Sequence, residues 1–137
     1  MNRILSIDYG LVRVGMAISD ALKITAQSLD TLTIDGNNEL LLNKIEELKK
    51  THNVDTVVIG YPKHMNGDLS ETSKKIDELI PSIEALNLKT VKWDERLTTV
   101  MAHKTMKDLG IKQKEKKTHA DRLAAMYILE DYLRYIS

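Results

Sequence analysis

The segment Arg3-Ile4-Leu5-Ser6-Ile7-Asp8-Tyr9-Gly10-Leu11-Val12-Arg13-Val14-Gly15-Met16-Ala17-Ile18-Ser19 sets the architecture. Residues 3–8 carry Ile4, Leu5 and Ile7 almost without interruption, the pattern of a strand buried on both faces. Gly10 allows a turn. Val12, Val14, Met16 and Ile18 then alternate with Arg13, Gly15, Ala17 and Ser19 as a second strand. Residues 24–34 give a weaker third strand through Thr25, Leu29, Leu32 and Ile34. Links this short join antiparallel neighbours.

The pattern then changes. Asp35-Gly36-Asn37-Asn38 reads as a turn and a cap, and Leu40, Leu41, Ile45 and Leu48 repeat at helical spacing to about Thr51. Val57-Val58-Ile59 lies in a strand from Val54 to Gly60. Tyr61-Pro62 breaks it, Asn66-Gly67-Asp68 is a loop, and Ser70 starts a second helix through Ile76, Leu79, Ile80 and Ile83. Leu88 to Trp93 is a fifth strand. A third helix runs from a cap at Thr98 or Thr99 to Gly110, Lys112 to Lys117 is a polar loop, and residues 119–135 form a last helix. The expected fold is one α/β domain over residues 1–137: three antiparallel strands, then two parallel strands joined by right-handed crossovers, flanked by helices.

Composition narrows the function classes. Lys plus Arg and Asp plus Glu both number 20, so the formal charge is +0 and gives no hint of a polyanionic partner. A neutral total still leaves room for a polarised surface. Without cysteine there is no disulfide framework and no thiolate metal site. No apolar run approaches membrane-spanning length and no leader pattern opens the chain, so a soluble cytoplasmic protein is expected. One Trp, five Tyr and no Phe argue against extensive base stacking on aromatic platforms.

Four carboxylates stand at the ends of apolar segments: Asp8, Asp94, Glu95 and Asp121. Such groups are costly to desolvate unless something offsets the cost, and a shared divalent cation does this for several at once. Asp8 closes the first strand, where open α/β sheets place ligands, although an Asp capping a hairpin turn needs no function. Adjacent strand residues point to opposite faces, so only one of Asp94 and Glu95 is expected to join Asp8, with Glu95 favoured. Both would also suit a helix N-terminus. Asp121 shares a helical face with Ala124, Ala125, Ile128 and Tyr132, yet Thr118 and Asp121 also have the spacing of a capping box. Lys63 and Asn66 lie in a loop able to hold phosphate, or in a plain exposed turn. Lys114, Lys116 and Lys117 belong to a solvated loop that would contact a polyanion if the acids form a site.

Taken in order, these motifs resemble the YqgF-type family of Holliday-junction-resolvase-like and pre-16S rRNA nucleases, in the RNase H-like superfamily. The resemblance spans nearly the whole chain. It runs from Ile7-Asp8-Tyr9-Gly10 with Arg13, Gly15, Ala17 and Ser19-Asp20, through Gly60-Tyr61-Pro62 and Met65-Asn66-Gly67, to Asp94-Glu95-Arg96-Leu97-Thr98-Thr99 and Asp121 with Ala124-Ala125. It implies an RNase H-like five-stranded mixed sheet and a catalytic metal site of Asp8, Glu95 and Asp121, with Asp94 as the alternative ligand. Lys63 and Ser28 depart from the family pattern, as does the small Ala120, and none belongs to the acidic set.

Three carboxylates and a substrate phosphate suit one or two Mg²⁺ or Mn²⁺ ions. Arg13 or Arg96 would orient the acids or the phosphate. The partner implied is nucleic acid, an RNA precursor in pre-16S rRNA 5′-end processing or a branched DNA junction, and a two-fold-symmetric junction would favour a homodimer. A non-catalytic binding module of the same fold is the rival from another class. An actin-type phosphotransferase also uses Asp-x-Gly on a first hairpin, but it needs two such domains.

Overall fold

The computed structural model describes residues 2–61, 71–94 and 113–137, with the helix backbone alone at 113–122. Among the described residues six strands are present: β1 (Arg3–Asp8), β2 (Arg13–Ser19), β3 (Ala26–Ser28), β4 (Leu32–Thr33), β5 (Val54–Tyr61) and β6 (Lys89–Asp94). Three helices accompany them among the described residues: α1 (Asn38–His52), α2 (Glu71–Glu84) and α3 (Gln113–Ile136). The strand order is β3-β2-β1-β5-β6, with β4 also paired to β2. β2 runs antiparallel to β1, whereas β5 is parallel to β1 and β6 parallel to β5. The sheet is therefore mixed, as expected.

The strand count differs from the expected five. The third expected strand is split in two, because it carries one residue more than its partner. Val14 pairs with Leu32 and Ala17 with Ser28, so two residues of β2 face the three residues Leu29, Asp30 and Thr31. The Leu29 N–H still reaches the Met16 carbonyl at 2.9 Å. This is the geometry of a bulge, which interrupts a ladder without ending the pairing.

Two apolar layers cover the sheet. On one face Leu5, Ile7, Val57 and Ile59 pack with Leu41 and Ile45 of α1 and Ile76 and Ile83 of α2. On the other, Ile4, Ala17 and Val58 pack with Ala125, Ile128, Leu129 and Tyr132 of α3. Strand alternation puts odd positions of β1 under α1 and α2, and even positions under α3. Ala17, Ala124 and Ala125 are all buried, so α3 lies close to β2 on small side chains. α1 is closed at both ends: the Asn37 side chain accepts from the Glu39 N–H at 3.1 Å, and Asn53 ends it with φ 55°.

α3 starts earlier than expected. The polar run predicts a loop at 112–117 and a helix from 119, but Gln113–Lys117 is already helical. Gln113, Lys114, Glu115, Lys116 and Lys117 are straight-chain residues that lose little rotamer freedom in a helix, and no Gly or Pro separates them from Asp121. Their polarity was no barrier to helix. Ser70 and the expected helix from Thr98 or Thr99 to Gly110 lie outside the described residues.

Candidate functional site

Asp8 ends the central strand on the α3 face. Its neighbour on β2 is Gly15, and on β5 the register that pairs Ile7 with Ile59 brings Gly60 beside it. Gly60 in turn pairs with Trp93 of β6. Across the carboxyl ends of the strands the row on this face is thus Gly15, Asp8, Gly60, Trp93. The carboxylate stands between two positions that have no side chain, and both glycines are buried.

The chain turns sharply after Asp8. A Cβ on Gly10 would lie 2.5 Å from the Arg13 carbonyl oxygen, closer than real Cβ contacts come. Gly10 therefore lets the hairpin fold back tightly enough to start β2 at Arg13. Alternation along β2 places Arg13 on the same face as Gly15 and Asp8, and Arg13 also pairs with Thr33. Asp20, within the motif run at the other end of β2, is structural here. Its Oδ1 accepts from the N–H groups of Ile24 and Thr25 at 2.7 and 2.8 Å, and these bonds lower its pKa.

α3 is fastened over this row. The Ser6 hydroxyl donates to the Ala125 carbonyl at 2.6 Å, both residues being buried. Leu133 and Arg134, near the helix end, border Lys23–Ala26, beside the start of β1. α3 therefore runs opposite to β1. From the Ser6–Ala125 bond, two residues forward along β1 reach Asp8, and one helical turn back along α3 reaches position 121. Both steps are about 6 Å, and both lead toward the carboxyl end of the sheet. The capping-box alternative for Asp121 does not hold, since Thr118 and Asp121 both lie inside a helix that begins at Gln113. Lys114, Lys116 and Lys117 occupy its first turns rather than a loop.

Asp94 stands on the opposite face. It pairs with Tyr61 and follows Lys92 by two residues, and both of these face α2. The Lys92 ammonium lies 2.8 Å from Asp77 Oδ1, the Tyr61 hydroxyl donates to Asp77 Oδ2 at 2.9 Å, and the ammonium also lies 4.6 Å above the Tyr61 ring. The bond from Lys92 holds the Asp77 pKa low, and Asp77 raises that of Lys92. Burial, with the acceptor Asp77, pushes the Tyr61 phenol up. On the same face the Tyr9 hydroxyl donates to Asn38 Oδ1 at 2.6 Å, and burial raises its pKa. The two tyrosines tie the segment after β1 and the end of β5 to α1 and α2.

The Asp77 cluster has a testable pH signature. Because its pKa is depressed, the stability it contributes is present at neutral pH and is lost as pH falls through the depressed value. Lys92, with a raised pKa, keeps its share until pH rises past that raised value. Both side chains are more than a third exposed, at 37% and 49%, so the pair contributes about 0.5 kcal/mol. Asp77→Asn should lower the melting temperature slightly at pH 7, and the gap to wild type should close below the carboxylate range. An equal gap at pH 7 and in acid would assign the effect to packing instead.

Glu95, Arg96, Lys63 and Asn66 lie outside the described residues. Among the described residues no three His, Cys, Asp or Glu gather closely enough to hold a metal ion, and no helix is long and apolar enough to cross a membrane. One grouping that sequence reasoning missed is aromatic. Trp93 lies 5.6 Å from Tyr132 and 5.5 Å from Tyr135, ring centre to ring centre. Alternation on β6 could have placed Trp93 on the face away from Asp94, but the helix that meets it there is a tertiary fact.

The RuvX family, described as Holliday junction resolvase, matches residues 2–135. The chain belongs to the RuvX family. Relatives of this RuvX chain carry the name "Putative pre-16S rRNA nuclease". The one from Acetivibrio thermocellus is 45% identical over 133 residues, covering 96% of this chain and 94% of the relative. The one from Staphylococcus aureus strain JH9 is 44% identical over 140 residues, covering 96% and 95%. Among solved structures, RuvC from T. thermophilus in complex with a Holliday junction substrate superposes with a TM-score of 0.58 at 15% identity, covering 98% of this chain and 96% of that one. The fowlpox virus resolvase in complex with Holliday junction DNA gives 0.57 at 19% identity, covering 98% of both. At such identities the likeness is one of fold, and the fold is RNase H-like.

Proposed function

We propose that this RuvX-family chain is a divalent-metal-dependent nuclease that hydrolyses phosphodiester bonds of structured nucleic acid in the cytoplasm, with the 5′ end of pre-16S rRNA as its substrate. The observation that carries the reading is the position of Asp8. It ends the central strand on the face that α3 covers, flanked by Gly15 on β2. Full-length relatives named as pre-16S rRNA nucleases support the choice of substrate.

Asp8, Glu95 and Asp121 would hold Mg²⁺ or Mn²⁺. Carboxylate oxygens are the donors these hard ions prefer. Asp94 is on the α2 face, so strand alternation favours Glu95 as the second acid. When bound, the metal supplies water activation and neutralises charge on the leaving oxygen. The chain's own carboxylates act as ligands and not as proton donors. Arg13, Lys63, Asn66, Arg96, Lys114, Lys116 and Lys117 would contact the substrate backbone. Such contacts weaken with salt, so binding should fall steeply between low and physiological ionic strength.

A second reading is cleavage of four-way DNA junctions, in line with the description of the family. A homodimer would then place two sites on a two-fold-symmetric substrate. One experiment separates the readings: purified chain with Mg²⁺ or with chelator, offered a 16S precursor bearing its 5′ extension and a four-way DNA junction. Mg²⁺-dependent shortening of the RNA is the expected result. Junction cutting alone would favour the second reading. Binding of either substrate with no cleavage in Mg²⁺ or Mn²⁺ would leave a binding module.

A further inference from the structure

We propose that Trp93 and Tyr135 form a stacking platform for an unpaired nucleotide on the sheet face that also carries Asp8. The proposal rests on the nuclease reading and adds what the substrate presents there: a single-stranded flank.

The row of positions on the α3 face gives the path. Moving from Asp8 toward the β6 edge, Gly60 offers no side chain, and Trp93 is the first one met. Its indole meets Tyr132 edge to face, with an interplanar angle of 88°, and Tyr135 at 63°. Tyr132 is buried and anchors the group, whereas Tyr135 is 73% exposed. These tilted contacts hold the three rings in place without a parallel stack among them. Tyr135 therefore keeps most of its ring surface in solvent while its position is fixed, which lowers the entropy cost of binding a flat partner.

The size of the patch identifies the occupant. A specific protein interface needs about 800 Å² on each partner, far more than one exposed ring beside a half-buried one. A nucleobase needs one ring face. Lys89 is exposed and lies four residues before Trp93 on the same face of β6, about 13 Å along the strand, while Asp131, one helical turn before Tyr135, is paired with Arg134. A base inside a duplex has both faces covered by its neighbours, so apart from the end pairs only an unpaired base can use such a platform.

Trp93 is the single tryptophan of the chain, so its emission reports on the platform directly. The full chain is titrated in chelator, so that nothing is cut, with a short oligouridine strand and with a blunt RNA duplex. The strand should quench Trp93 and the duplex should not. Tyr135→Ala, at an exposed site, should bind the strand about tenfold more weakly, and Tyr135→Phe should stay within about twofold of wild type. Unchanged affinity in Tyr135→Ala, or equal quenching by the duplex, overturns the proposal. Wild-type cleavage in Mg²⁺ is scored separately. Cleavage with unchanged Tyr135→Ala binding would reject the platform alone. No cleavage, with strand binding lost in Tyr135→Ala, would reject the nuclease reading and keep the platform.

Discussion

Asp8→Asn should abolish metal-dependent cleavage while leaving the protein folded. The amide has the same shape, so the strand end and its pairing with Gly15 should survive. What is lost is one negative oxygen ligand. A bound metal supplies several kcal/mol of charge stabilisation in phosphodiester hydrolysis. Losing most of it corresponds to a rate reduced on the order of a thousandfold. The measurement is single-turnover cleavage of the 16S precursor in Mg²⁺, with melting temperature as the control. Mn²⁺ titration followed through Trp93 quenching should show weaker binding in the variant. Cleavage at the wild-type rate in Asp8→Asn would remove Asp8 from the site and with it the proposed mechanism.

Gly10→Ala should be the most damaging single methyl in the first hairpin. The added Cβ would meet the Arg13 carbonyl oxygen at 2.5 Å, and that oxygen belongs to backbone held in the β2 ladder. No flexible side-chain end can move aside, so the turn must open. Overpacking of this kind costs about 2 kcal/mol. For a domain of this size that lowers the melting temperature by roughly 5–10 °C. Because the turn joins Asp8 to Arg13, cleavage should fall as well, even at temperatures where the variant is folded. Gly36 serves as the control, since nothing lies within 4 Å of an added Cβ there, although its φ of +82° still penalises a side chain. Gly10→Ala with wild-type stability and activity would show that the turn tolerates the shift.

Much of the architecture was legible along the chain. Ile4, Leu5 and Ile7 marked a strand buried on both sides, and α1 and α2 together with α3 are what bury it. The alternation of Val14, Met16 and Ile18 with Gly15, Ala17 and Ser19 marked β2, its large residues under α1 and α2 and its small ones under α3. Three details were not legible. The break at Leu29, Asp30 and Thr31 depends on a residue count against β2, which no pattern within the segment reveals. The start of α3 at Gln113 was hidden because a polar helix and a polar loop look alike when no apolar face is present. The aromatic cluster joins residues about forty apart in the chain, a separation that no local pattern reveals.

The candidate site divides the same way. Sequence by itself determined the family motifs and the strand-end position of Asp8. Periodicity is local, so the chain carries it openly. Tertiary structure decided which helix covers each face. The Ser6–Ala125 bond and the small residues beneath α3 put that helix over the even positions of β1, which is the face of Asp8. Lys92 and Tyr61 bonded to Asp77 put Asp94 on the other. The physical reason is that a strand is the same from either side until something packs on it, and what packs on it comes from a hundred residues away.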